Sequence, residues 1–92
     1  VESSISKSIN YDAVKFLQEI RDTQIDGGVN IIIGGSIGCK NDCYLPEEGL
    51  TSSEAEQFHS WQIEQLAKGE ADFLIAVTLP SVEESIGIAK AM

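Results

Sequence analysis

Two cysteines, Cys39 and Cys43, stand with three residues between them in a polar stretch. Thiolates at that spacing can hold a soft metal or form a redox pair. A tetrahedral zinc needs four ligands, however, and His59 is the only histidine. Two free thiols are therefore the plainer reading, and a disulfide would need the loop to bring the two α-carbons within about 7 Å. His59 has the chemistry of a general base but no obvious nucleophile beside it, which favours a hydrogen-bonding role in the fold. Gly34-Gly35-Ser36-Ile37-Gly38 reads as a turn after an apolar run. Its N–H groups could cradle a carboxylate or phosphate, or the glycines could simply permit a tight turn. Thr78 follows a second apolar run and shares the positional argument, because ligands of α/β folds gather at the C-terminal ends of strands. Glu47, Glu48, Glu54 and Glu56 cluster around a helix start, where capping and dipole compensation account for them. Phe58 and Trp61 read as packing residues.

These residues need elements to position them. Ile5, Ile9, Ala13, Phe16, Leu17 and Ile20 recur at helical spacing, so a helix from near Ser4 to Thr23 is expected, with that stripe facing inward. Gly27-Gly28 closes the segment. Val29 to Ile33 is short, apolar and mostly β-branched, as expected of a strand buried on both faces. Thr51-Ser52-Ser53-Glu54-Ala55-Glu56 holds two overlapping capping boxes, Thr51 with Glu54 and Ser53 with Glu56. The helix they start presents Phe58, Ile63, Leu66 and Ala67, and Gly69 is placed to cap its end. Phe73 to Thr78 is a second buried strand, broken by Pro80. Ser81 and Glu84 form another capping box, and Val82, Ile86 and Ala89 supply the inward stripe of a last helix.

The expected order is α-β-α-β-α, with parallel strands near 29–34 and 72–78 joined by a right-handed crossover. Strands apolar on both faces need cover on both sides, which three helices and two strands cannot provide. A complete (β/α)₈ barrel takes roughly 200 residues or more. The 92 residues are therefore read as a single unit, 1–92, that is part of a larger α/β domain or completes its sheet with another copy. The start at Val1 and the stop at Met92 in mid-pattern agree with a piece.

Composition narrows the partners. With 15 acidic and 6 basic residues the formal net charge is −9. Nucleic acid and anionic membrane surfaces both call for basic surface, so neither is expected as a partner. No apolar run is long enough to span a bilayer, and no secretory leader is visible. Two cysteines without such a leader suggest the reducing cytoplasm.

Four motifs in register resemble the homocysteine S-methyltransferase family. Gly35-Ser36-Ile37-Gly38-Cys39 stands against the family's Gly-Ser-(Val/Ile)-Gly-Pro turn. Phe58-His59 matches its helical Phe-His. Glu70-Ala71-Asp72-Phe73-Leu74 matches Gly-x-Asp followed by two aliphatics less closely. Val77-Thr78-Leu79-Pro80 stands against Glu-Thr-(Ile/Leu)-Pro, and Ser81-Val82-Glu83-Glu84 with the helix around Ala89 also looks like the family. The resemblance implies a (β/α)₈ TIM barrel, of which this chain is roughly the third and fourth strands. It implies methyl transfer to a small-molecule thiol, homocysteine, in methionine formation. It also implies zinc held by three cysteine thiolates, which keeps the bound sulfur ionised where a free thiol of pKa near 8.5 would be mostly protonated.

The departures matter equally. The family's zinc cysteines lie in Gly-x-Asn-Cys and Gly-Gly-Cys-Cys patterns. Here Gly28-Val29-Asn30 is followed by Ile31, and Gly34-Gly35 by Ser36. Zinc is thus expected in the complete domain and not in this chain. Val77 stands where the family's strand-end glutamate binds the substrate amine, and valine can neither pair with an ammonium nor accept its hydrogen bonds. The substrate-binding residues implied here are Gly35, Ser36, Val77 and Thr78, with no catalytic residue and no metal ligand in the chain. The competing reading is a non-catalytic α/β module that associates with itself or a partner through open sheet edges.

Overall fold

The computed structural model describes residues 2–24 and 30–92. The Gly27-Gly28 boundary, Val29 and the side chain of Ile5 lie outside the described part. Helix α1 spans Glu2–Asp22, strand β1 Gly34–Ile37, helix α2 Ser52–Lys68, strand β2 Phe73–Ala76 and helix α3 Val82–Ala91, with a short 3₁₀ turn at Pro46–Glu48 before α2. The α-β-α-β-α order expected from the pattern is present. The two strands are parallel, with Gly34 opposite Phe73 and Ile37 opposite Ala76.

Strand β1 lies further along the chain than its apolar run suggested. Ile31 and Ile32 are exposed and outside the ladder, whereas Gly34-Gly35-Ser36-Ile37, read as a turn, is the strand. The reason is the partner: β2 begins at Phe73, and only residues from Gly34 onward have it alongside. The glycines serve close approach here. A Cβ on Gly34 would fall 2.2 Å from the Phe73 ring, and one on Gly35 2.8 Å from Leu66 and 2.9 Å from Leu74. Asp72 hooks the ladder at its start. Its carboxylate accepts from the Ile33 N–H at 2.8 Å while its own N–H donates to the Ile33 carbonyl at 2.7 Å. Strand β2 is also shorter than 72–78, although the Val77 N–H still reaches the Ile37 carbonyl at 3.2 Å.

One face of this sheet is covered and the other is open, so neither strand is buried on both faces. Leu74 and Ala76 pack, with Ile37, on a core of Val14, Ile63, Leu66 and Ile88. Phe73, Ile75 and Val77 remain exposed on the alternate positions. Such a sheet is compatible with a piece of a barrel, whose other strands would supply the missing layer.

The helices turn differently from the stripes assigned to them. In α1, Ile9, Phe16, Leu17 and Ile20 are exposed, and among the described side chains of the helix Val14 is the buried one. Polar groups dock this helix: Gln18 Nε2 donates to the Gly69 carbonyl at 2.9 Å, and Gln62 Nε2 to Asn10 Oδ1 at 3.2 Å. Gly69 caps α2 as expected, but in ordinary right-handed geometry, and it is Glu70 that takes positive φ, at 68°. The absence of a side chain at Gly69 admits Val14, whose Cβ is 3.0 Å from where a glycine Cβ would stand. Thr51 and Glu54 form the capping box that starts α2. Ile63 and Leu66 point inward as expected, while Phe58 and Ala67 do not. In α3 the buried positions are Glu84, Gly87 and Ile88, and Val82, Ile86 and Ala89 face out. The physical cause is Glu84, which is drawn into the interior by partners elsewhere in the chain.

Candidate functional site

Both strands run to the same end of the sheet, so the segments that follow them, 38–51 and 77–81, share it. Ser36 lies on the open face, beside its register partner Ile75. Val77 continues that face two residues beyond Ile75 and is exposed. Thr78 follows at φ 57°, a conformation that a β-branched residue adopts only at a cost of order 1–3 kcal/mol. Strain of this kind collects where backbone geometry serves a ligand, and the conformation carried no signal in the residue type. The structure thus sets Ser36 and Val77 on the open face, with exposed Thr78 next in the chain past the end of β2. Gly35 is separated from them, since it faces Leu66 and Leu74 on the helix side. Because Gly34–Ile37 is a strand paired with β2, the anion cradle envisaged for this stretch is not formed.

The segment between β1 and α2 is a folded loop. Asp42 Oδ1 accepts from the Tyr44 N–H at 2.9 Å and the Asp42 carbonyl from the Leu45 N–H at 3.1 Å, which makes a tight turn at its tip. Asn41 Nδ2 donates to the Glu48 carbonyl at 2.9 Å and ties the two limbs together. With its ends close and its limbs bonded, the segment has the character of an Ω-loop. Lys40 lays its ammonium over the Phe58 ring, 5.3 Å from the centroid. Gly49 lies against the following βα turn, where an added Cβ would stand 2.6 Å from Ser81 Oγ.

At the root of this loop Glu84 is 0% exposed and His59 2%. Glu84 Oε2 lies 2.9 Å from His59 Nε2 and accepts from the Lys40 N–H at 3.2 Å, while Oε1 accepts from the Leu50 N–H at 3.3 Å. An ionised carboxylate only accepts, so Nε2 carries the proton and donates. Burial by itself would raise the Glu84 carboxyl, but the hydrogen bonds from His59, Leu50 and Lys40 outweigh it and hold the group below its ordinary range. Ser81 still accepts from the Glu84 N–H at 3.2 Å, so only half of the expected capping box forms. The structural role expected for His59 is the one it has, and its buried imidazole is committed to Glu84. The part played by Glu84 was not foreseen: its spacing from Ser81 marks a cap, and nothing local points to a histidine 25 residues away.

Cys39 and Cys43 are both free and partly buried. Cys39 Sγ donates to the Asn41 carbonyl at 2.9 Å. Desolvation, helped by Cys43 and Glu84, pushes the Cys39 thiol up, the opposite of what a nucleophile or metal ligand needs. Among the described residues no three of His, Cys, Asp and Glu are grouped to hold a metal ion. With His59 committed to Glu84 as well, these residues do not fit zinc. Among the described residues, too, no helix is long and apolar enough to cross a membrane.

Two parallel strands joined through a helix, with chemistry-bearing residues past their C-terminal ends, define an α/β protein of the βαβ class. The model of the homocysteine S-methyltransferase family matches residues 2–92, and the chain belongs to that family as a partial domain. No curated protein and no solved structure matches the chain.

Proposed function

We propose that these residues are the wall and part of the pocket floor of a homocysteine S-methyltransferase-like (β/α)₈ barrel, whose complete domain moves a methyl group to a small-molecule thiol in the cytoplasm. The family match over residues 2–92 carries this reading. Ser36 and Val77 on the open face, with Thr78 just past the C-terminal end of β2, support it, since barrel sites lie at the C-terminal ends of strands. Gly35 contributes through its backbone, where the missing side chain lets β1 sit close to Leu66. Val77 offers the acceptor an apolar contact where a glutamate would take an ammonium, so the acceptor's amine is recognised by other groups or not at all. The metal ligands belong to parts of the domain other than these residues.

The test assays two samples, this 92-residue chain and a complete domain carrying it, with homocysteine and a panel of methyl donors. Turnover is expected in the complete domain alone, and the short chain is expected to lose zinc on dialysis. Stoichiometric zinc retained by the short chain, or its turnover, would overturn the division of labour. An inactive complete domain would overturn the function.

The open face favours a second reading, a module that associates through its sheet. Phe73, Ile75 and Val77 on that face and Ile9, Phe16 and Ile20 on α1 are exposed, and apolar residues on an open sheet are the kind of surface that associates. Light scattering at several concentrations should show the isolated chain growing in mass as it is concentrated. A mass constant at 9.9 kDa would count against association.

A further inference from the structure

The Ω-loop after β1 and the turn after β2 meet at the C-terminal end of the sheet, past which Val77 and Thr78 lie, and Glu84 lies at their junction. It accepts from Lys40 at one root of the loop and from Leu50 at the other, using opposite carboxylate oxygens. Its own N–H is bonded to Ser81, in the turn that carries Thr78. One buried carboxylate therefore closes the loop on itself and joins it to α2 through His59, while the backbone N–H of the same residue holds Ser81, the cap of its own helix. Gly49, pressed against Ser81, shows that the two segments touch along this line.

We propose that Glu84 is a positioning residue, which through the Lys40 and Leu50 N–H groups and His59 Nε2 sets the Ω-loop against the strand end that carries Val77 and Thr78. The role rests on the reading of that end as the substrate pocket. The titratable groups facing Glu84 are His59 from α2 and Cys39 from the loop. Lys40 faces it with its backbone N–H while its ammonium lies over Phe58, and Glu83, the neighbour on α3, is exposed. Loss of the Glu84 charge leaves one carbonyl oxygen where two served the two loop roots. The loop then opens while the α2–α3 packing, which rests on Ile63, Leu66 and Ile88, stays.

Residue-resolved amide exchange on the chain tests this. In Glu84→Gln one carbonyl oxygen cannot replace two on opposite sides, so Lys40 or Leu50 loses its partner. Exchange at that amide is expected to rise about tenfold or more, as for loss of a charge-assisted hydrogen bond, with Ile63 and Leu66 unchanged. If this variant does not fold, the wild-type chain gives the same answer on titration. The Glu84 carboxyl lies below its ordinary range in the fold, so the lock is closed above that range and opens as pH falls through the lowered value. Lys40 or Leu50 should lose protection with a midpoint there, as in Glu84→Gln, with Ser36 and Thr78 resonances moving at the same pH. Amides that keep their protection through that titration would overturn the proposal, as would loss shared with Ile63 and Leu66 or silent Ser36 and Thr78. An inactive complete domain would remove the substrate reading and leave the titration standing, which tells the two failures apart.

Discussion

Replacing His59 with alanine is expected to destabilise the chain by about 3 kcal/mol near neutral pH, because it takes from a buried carboxylate its one side-chain donor. A chain of this length has roughly 5–14 kcal/mol of stability in all, and one with an open sheet face stands at the lower end, so the loss is a large fraction. The pH dependence identifies the cause. In the wild-type chain the folded Glu84 carboxyl is depressed, so its contribution is present above the unfolded carboxyl value and fades as pH falls through the lowered folded one. Without His59, the two N–H bonds from Lys40 and Leu50 remain against burial, the largest effect on this group, and the carboxyl rises. The variant then gains relative to wild type as acid neutralises the charge. Urea unfolding at pH 7 and pH 4 should show the difference between the two chains shrinking at the lower pH. A difference that does not change with pH, or stays below about 1 kcal/mol, would mean that lost packing alone accounts for the effect.

The same pair shows where reading the sequence reaches and where it stops. Features with local causes were legible. Thr51 and Ser81 cap their helices because a hydroxyl placed before an apolar pattern meets the free N–H groups of the first turn. The parallel pairing follows from two strands separated by a helix. Features decided by a distant partner were not legible. A pair of glycines is a turn signal wherever only its neighbours are considered. Gly34 and Gly35 lie in a strand because β2 runs alongside them, and they are glycine because the Phe73 ring and the Leu66 side chain occupy the space a side chain would need. The period of α1 announces an apolar stripe correctly, but a period cannot say which neighbours are present. In these residues Val14 finds the core, while Ile9, Phe16 and Ile20 find no cover among the described residues. The candidate site divides in the same way. Proposing Ser36, Val77 and Thr78 needed only family motifs and the rule that sites gather at strand ends, whereas the positive φ of Thr78 and the anchoring of the loop by Glu84 depend on the assembled fold.

Gly87→Ala should be the most damaging of the conservative changes, and the sign is decided by two opposed terms. Inside an exposed helix, alanine for glycine gains about 1 kcal/mol from the reduced freedom of the unfolded chain and better helix propensity. At Gly87 the added methyl carbon would stand 2.4 Å from Ala55 Cβ, 2.4 Å from the Ser52 carbonyl oxygen and 2.9 Å from the Glu56 nitrogen. Two of those three atoms are backbone in the first turn of α2, which is held by the Thr51–Glu54 box and cannot swing aside as a flexible side chain would. Relief therefore requires α3 to move off α2, and that motion draws Ile88 out of the core and strains the Glu84–His59 bond. Overpacking of this kind costs about 1–3 kcal/mol and more where backbone must shift, so after the propensity gain a net loss of about 2 kcal/mol is expected. Gly38→Ala is the control: nothing lies within 4 Å of its Cβ position, so the change should be neutral or slightly stabilising. Urea midpoints for the two variants measure the contrast. If Gly87→Ala matched or exceeded the stability of Gly38→Ala, the close approach of α3 to α2 would not be a feature of the folded chain.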